Sequence, residues 1–156
     1  MQTPQLAAIL AYEDEDVISR FTDLLAVEEA EARDIFQETK KFLYLSHHYP
    51  VFIPDDLLIL DEMWHNFILF TPAYAAFCQT HFQKFLHHLP ATRQEKAEQV
   101  KQREQAPAQS QQEYLAQLEA LLEATYDHLG EATVCKWFQT YPERYGKAQL
   151  LALRKA

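Results

Sequence analysis

Two glycines, Gly130 and Gly146, serve all 156 residues of this chain. Glycine is the residue that opens left-handed backbone and lets a main chain approach a phosphate closely. So few of them exclude a Gly-rich phosphate loop and a GxGxxG dinucleotide fingerprint, each of which needs several. Ala, Leu, Gln and Glu are abundant and β-branched runs are few, which favours helix over strand. The expected fold is all-α: a single-domain helical bundle over residues 1–156 with about five to seven helices. A chain of this length buries roughly 70% of its unfolded surface and needs neither disulfide nor metal merely to fold.

Lys plus Arg number 14 against 23 Asp plus Glu, a formal charge of -9. That balance argues against broad binding to nucleic acid or anionic membrane, because phosphate contacts are made mainly by Lys and Arg. The two cysteines, Cys78 and Cys135, cannot build a disulfide framework, so a reducing, cytoplasmic setting is expected. The opening MQTPQLAAILAYEDEDV lacks a basic n-region and does not read as a secretory signal. No stretch has the 18 or so consecutive apolar residues of a membrane span.

Helix boundaries follow from capping and periodicity. The acidic run Glu13–Asp16 suits a helix N-terminus and predicts a short helix through Leu25. A second helix is expected from Val27 to Ser46, where Ala32, Ile35, Phe36, Thr39, Phe42 and Leu43 fall on one stripe. It must stop before Pro50. Asp55 or Asp56 can cap a third helix to about Phe70. Thr71 and Pro72 then read as N-cap and first residue of a fourth, running to about Phe85. These two helices form a hairpin about Thr71-Pro72.

Residues 91–112 differ in character. Seven of these 22 residues are Gln, and Val100 is their only large aliphatic side chain. Such a Gln/Glu/Lys-rich segment cannot bury a core face and is expected to be a linker or a solvated helix, broken by Pro107. Beyond it, Tyr114, Leu118, Leu121, Leu122, Thr125 and Leu129 predict a helix from Ser110 that ends at Gly130. Val134, Trp137, Phe138 and Tyr141 predict a short amphipathic helix ended by Pro142. The tail carries at most a final helical turn. A frame F-x4-HH-x-P occurs at 42–50 and again at 82–90, too short an echo to indicate duplication.

Six of the seven histidines lie between His47 and His88, and histidine is the commonest metal ligand. Asp61 and His65 stand at i, i+4, one turn apart on one helix face. With Glu62 and Asn66 they form the only polar arc of a helix whose other positions include Ile59, Leu60, Met63, Trp64, Phe67, Ile68 and Phe70. Cys78 lies on the stripe Tyr74, Cys78, His81, Phe85 of the next helix, and thiolate with imidazole is a zinc donor set. His87 and His88 follow that helix. In an antiparallel hairpin its end approaches the start of the preceding helix, where Asp61 sits. One of the two imidazoles can therefore fold back over Asp61 and His65. The bland alternatives are an exposed Asp61–His65 pair, a buried apolar Cys78, and histidines serving a helix C-terminus.

The ordered pattern D-x2-WH-x-FIL-x-T-x2-Y-x2-FC-x3-F-x2-F-x-HH-x-P, from Asp61 to Pro90, resembles the glycine-rich-domain-protein-like family. That family was once catalogued as a domain of unknown function. The resemblance covers about thirty residues. It implies no settled activity, but it places Asp61, His65, Cys78, His87 and His88 within one motif. Plant members of that family add a glycine-rich tail and are linked to development and stress; no such tail occurs here. The family pattern often has Gly after the position of Phe82, where this chain has Gln83, which speaks against a tight backbone turn there.

Three functions follow as expectations. The first is a helical domain with a metal or small-ligand site at Asp61, His65, Cys78 and His87 or His88, holding a divalent ion. Zinc suits mixed N, O and S donors; iron is favoured if Cys78 stays out and carboxylate and imidazole dominate. The second is a metal-free protein–protein interaction module, or a self-associating one, that uses the aromatic-rich hairpin. The third is a hydrolase with Cys78 as nucleophile, which lacks a glycine turn to present an oxyanion site. No catalytic residue is assigned.

Overall fold

The longest apolar stripe in the sequence becomes the axis of the structure. The computed structural model, which describes residues 2–155, has nine helical runs, with α3 at the centre of the core. They are α1 (Pro4–Ala11), α2 (Glu15–Leu24), α3 (Glu29–His48), α4 (Leu58–Ile68), α5 (Thr71–Phe82), α6 (Arg93–Gln105), α7 (Pro107–Leu129), α8 (131–144) and α9 (Lys147–Leu153). One 3₁₀ turn, Asp55–Leu57, precedes α4. No strand occurs among the described residues. The all-α class stands, but the count exceeds the expected five to seven. The extra runs are short or lack an apolar stripe: α1 has 8 residues, α9 has 7, and α6 buries none of its side chains. Periodicity cannot find such helices.

Capping chemistry sets most of the starts. The Thr3 side chain accepts from Leu6 N–H, with Pro4 in the first turn of α1. Asp14 accepts from Asp16 and Val17 N–H at the head of α2. Glu15 and Asp16 add negative charge to that first turn, where the helix dipole favours it. Thr92 caps α6 through Glu95 N–H. The 55–57 turn differs from expectation: Pro54 precedes it, and neither Asp55 nor Asp56 caps α4 by its side chain.

Helix α3 touches α1, α2, α4 and α7. It buries all six residues of its predicted stripe, and also Glu38, Lys40, Tyr44 and Leu45. A helix surrounded on several sides buries more than one face. Its two interior charges have partners. Glu38 Oε1 accepts from Trp137 Nε1 at 3.0 Å, and Glu38 Oε2 lies 2.9 Å from Lys41 Nζ. Lys40 Nζ donates to Leu10 O at 3.1 Å and to Tyr12 O, at the C-terminal end of α1, and sits 4.8 Å from the centre of the Phe36 ring.

The second half is looser. Pro107 ends α6 and begins α7 at a first-turn position, where its missing N–H costs no helix bond. Only the C-terminal half of α7 buries side chains, Leu121 and Thr125. Tyr114, expected on the buried stripe, is 44% exposed. Gly130 takes a φ of 92° after α7, as its C-terminal position predicts. Pro142 does not end α8. A π-helical turn, Lys136–Thr140, intervenes and the run continues through Tyr141–Arg144. The C-terminal backbone is clipped to the end of α2 by Ala26 N to Leu153 O (2.7 Å) and Lys155 N to Leu24 O (2.9 Å).

No helix among the described residues is long and apolar enough to cross a membrane.

Candidate metal centre

The hairpin of α4 and α5 turns at Leu69–Phe70. Phe70, not Thr71, occupies the N-cap position of α5, and no side chain caps it. Its carbonyl accepts from Tyr74 N–H at 2.8 Å, so Thr71 and Pro72 both lie inside the first turn. Helix α5 then stops at Phe82, three residues before the expected end. Gln83 adopts left-handed backbone, φ 55° and ψ 21°, and its N–H bonds Gln79 O. The tight turn that a glutamine seemed to disfavour is present.

That turn sends residues 85–90, which have no regular secondary structure, back along α4, and one tether fixes them there. Trp64 Nε1–H donates to the Tyr74 hydroxyl at 3.0 Å, and the hydroxyl donates to Leu86 O at 2.6 Å. Trp64, Tyr74 and Leu86 are all buried. An indole N–H and a phenol need partners when buried, and here each satisfies the other. Burial pushes the Tyr74 hydroxyl well above the usual phenol range, so it remains a donor.

Two residues past Leu86, His88 lies flat on Trp64, with ring centres 4.1 Å apart and an interplanar angle of 26°. Its Nε2 is 2.7 Å from Asp61 Oδ1. His65, one helical turn beyond Asp61, places Nδ1 3.5 Å from Asp61 Oδ2. The His65 and His88 rings are 4.5 Å apart. One carboxylate oxygen and one nitrogen from each imidazole thus all lie within 4.8 Å of one another. Side-chain exposure grades from 16% at His88 through 28% at Asp61 to 56% at His65. The group is therefore anchored on the Trp64 side and open to solvent on the other.

Of the five residues singled out in the sequence, the fold brings together Asp61, His65 and His88. It places Cys78 and His87 elsewhere. Cys78 is fully buried beside the Tyr74 hydroxyl and the Leu86 backbone, and burial pushes its thiol up. Its sulfur lies outside the group that Asp61, His65 and His88 form. His87 is exposed and packs on Phe85, with ring centres 4.8 Å apart. Along this segment Leu86 and His88 turn inward while Phe85, His87 and Leu89 are exposed, so only one of the His87–His88 pair reaches Asp61. The remaining four histidines lie elsewhere, and His47 packs on Phe82 with ring centres 4.8 Å apart, its buried Nδ1 without a hydrogen-bond partner among the described residues. His48 Nε2 is 2.9 Å from Gln5 Oε1, His81 packs on Phe77, and His128 Nε2 is 2.5 Å from the Tyr49 hydroxyl.

The aromatic surplus of the hairpin is mostly core. Trp64, Phe67, Tyr74, Phe77 and Phe82 are buried, Phe70 is half-buried, and Phe85 is 44% exposed. What the sequence concealed was the Trp64–Tyr74–Leu86 tether. Its signal was two aromatic residues with polar tips on otherwise apolar helices. Nothing in the spacing told that the two tips meet.

No curated protein and no solved structure matches the chain. A family model does match, over residues 15–120, a span from the start of α2 into α7 that contains Asp61, His65, His88 and the tether beneath them. Its description carries no glycine-rich name, unlike the family that the 61–90 pattern resembles. Well over half of the sequence lies within the match, and the chain belongs to the UCP032817-like family.

Proposed function

We propose that this protein binds one divalent first-row metal ion through Asp61, His65 and His88. The observation that carries the reading is the convergence of three potential ligand atoms from two separate segments, α4 and the 85–90 return. Two donors held by one ion at about 2.0–2.2 Å lie roughly 3.0–3.4 Å apart. The distances of 2.7 and 3.5 Å from Asp61 to the two imidazoles bracket that span. The ion would need only small side-chain movements.

With Cys78 outside the group, the donors are two imidazoles and one carboxylate. That set favours iron(II), with zinc next, over a thiolate-rich zinc site. Three protein ligands leave positions open, and the exposed His65 side is where they lie. The net charge of -9 and the two free cysteines support a soluble cytoplasmic protein that does not bind nucleic acid, and we read the chain as a single domain.

Metal analysis of untagged protein tests the site. One equivalent of iron or zinc is expected in the wild type, lost in both His88→Ala and His65→Ala while the helical circular dichroism is kept. A wild type that neither carries metal nor takes up added Fe(II) or Zn(II) in calorimetry rejects it.

A second reading, a metal-free interaction surface, is favoured by three exposed apolar side chains on the same hairpin and return segment. Leu69 is 61%, Phe85 44% and Leu89 81% exposed. It predicts self-association or partner binding that chelator does not affect and Leu89→Ser weakens.

A further inference from the structure

Of the adjacent imidazoles His87 and His88, the group around Asp61 uses only the second. His87 is exposed, packs on the Phe85 ring, and lies outside the ligand group of its own chain. Its Cα stands only about 3.8 Å along the chain from that of His88, so a second imidazole sits at the rim of the centre. Large apolar side chains flank both segments that build the centre. Leu69 lies one helical turn beyond His65, its N–H bonded to His65 O at 3.3 Å, and Leu89 follows His88. Both leucines are exposed, as is Phe85. Exposed apolar groups gathered around polar ones mark a contact surface.

We propose that two copies of this chain associate through this face, the His87 imidazole of each completing the coordination of the ion held by the other. The inference rests on the metal reading above and names the partner of that same site. A closed zinc site takes four ligands, and Asp61, His65 and His88 supply three. The His65 side chain is 56% exposed, so the open position faces outward, where a donor from a second molecule reaches it. A second copy carries such a donor in its own exposed His87. It also carries the matching open position. A two-fold axis that sets each His87 over the other copy's ion satisfies both centres at once, as a self-complementary contact requires. Leu69, Phe85 and Leu89 then lose apolar surface to water around the two ions. Charge explains why the contact waits for metal. Copies carrying -9 each repel, and a pair of dications in the contact offsets that repulsion.

Sedimentation velocity of the untagged chain, with Zn(II) as the added ion, tests the proposal. At about 50 µM the chain is expected to be monomeric in chelator and dimeric when loaded, with one ion per chain. His87→Ala should keep its helical circular dichroism and still take up one ion per chain in calorimetry, yet dimerise at least about tenfold more weakly. Leu89→Ser should behave in the same way. A wild type that loads one Zn(II) per chain and stays monomeric overturns this inference and leaves the metal reading standing. A wild type that takes up no ion overturns both. A dimer that persists in chelator, or one that His87→Ala leaves at wild-type strength, overturns this inference alone.

Discussion

His88 Nε2 sits 2.7 Å from Asp61 Oδ1 while the same imidazole lies face-on to Trp64 at 4.1 Å. A residue outside any helix is thus fixed from two directions, by a carboxylate and by an indole, both presented by α4. The indole is itself held by Tyr74, and Tyr74 holds the segment through Leu86 O. The position of His88 is therefore a consequence of a closed circuit that runs through α4, α5 and the return segment.

Opening that circuit should be costly. Tyr74→Phe keeps the ring but leaves Trp64 Nε1–H and Leu86 O buried without a partner. A loss of about 2–3 kcal/mol is expected, measured as a lower midpoint in urea at unchanged slope. Affinity for Fe(II) or Zn(II) should fall with it, because outer partners that orient a ligand typically contribute 10–100-fold. A Tyr74→Phe protein as stable as the wild type would show that the tether is not structural.

Gln83 gives the opposite sign. An L side chain in left-handed backbone carries a steric penalty that glycine does not. Gln83→Gly should stabilise the protein by about 0.5–1 kcal/mol, after the entropy that glycine adds to the unfolded chain. Thermal melting of the single variant decides it. A lower melting temperature would mean that the exposed contact of the Gln83 amide with Thr80 O outweighs the backbone term.

Lys40 sets an alkaline signature. Burial pushes its ammonium down from 10.5 to about 8. Between those values the unfolded chain still holds the proton that the folded chain has released, so stability rises with pH across this window, by at most about 1.4 kcal/mol per unit. Denaturation series at pH 8, 9 and 10 should show the slope in the wild type, and Lys40→Met should lack it. On the acid side, burial lowers the pKa of His47 and of His81. Stability should fall as pH drops below the ordinary imidazole range, because the unfolded chain takes up protons that the folded one resists.

Glu38 tests the join between α3 and the π turn of α8. Glu38→Ala strands Trp137 Nε1–H and takes the counter-charge from Lys41, while Lys136 keeps Asp34 at 2.6 Å. A loss of about 1–3 kcal/mol is expected, chiefly from the stranded indole N–H. Glu38→Gln keeps an acceptor for Trp137 and should lose less. Equal losses in urea for the two variants would place the whole effect in charge rather than in the hydrogen bond.

How much of this could be read in the residues depends on the kind of signal. Helix class follows from the near-absence of glycine, and the α3 stripe from simple periodicity. The Asp61–His65 pair follows from i, i+4 spacing alone. The return of a later histidine to Asp61 follows from the hairpin. Which histidine returns does not, because it depends on where α5 ends. That end is set by a glutamine in left-handed backbone, a conformation its side chain does not advertise. Lys40 and Glu38 were concealed for a related reason. Their positions beside the stripe look solvent-facing until α1 and α8 arrive from distant sequence to cover them.

Helix α6 places none of its thirteen side chains in the interior. The core therefore places little demand on its sequence. A position there that resists replacement must answer to the face it turns toward α7 or to solubility, not to the interior.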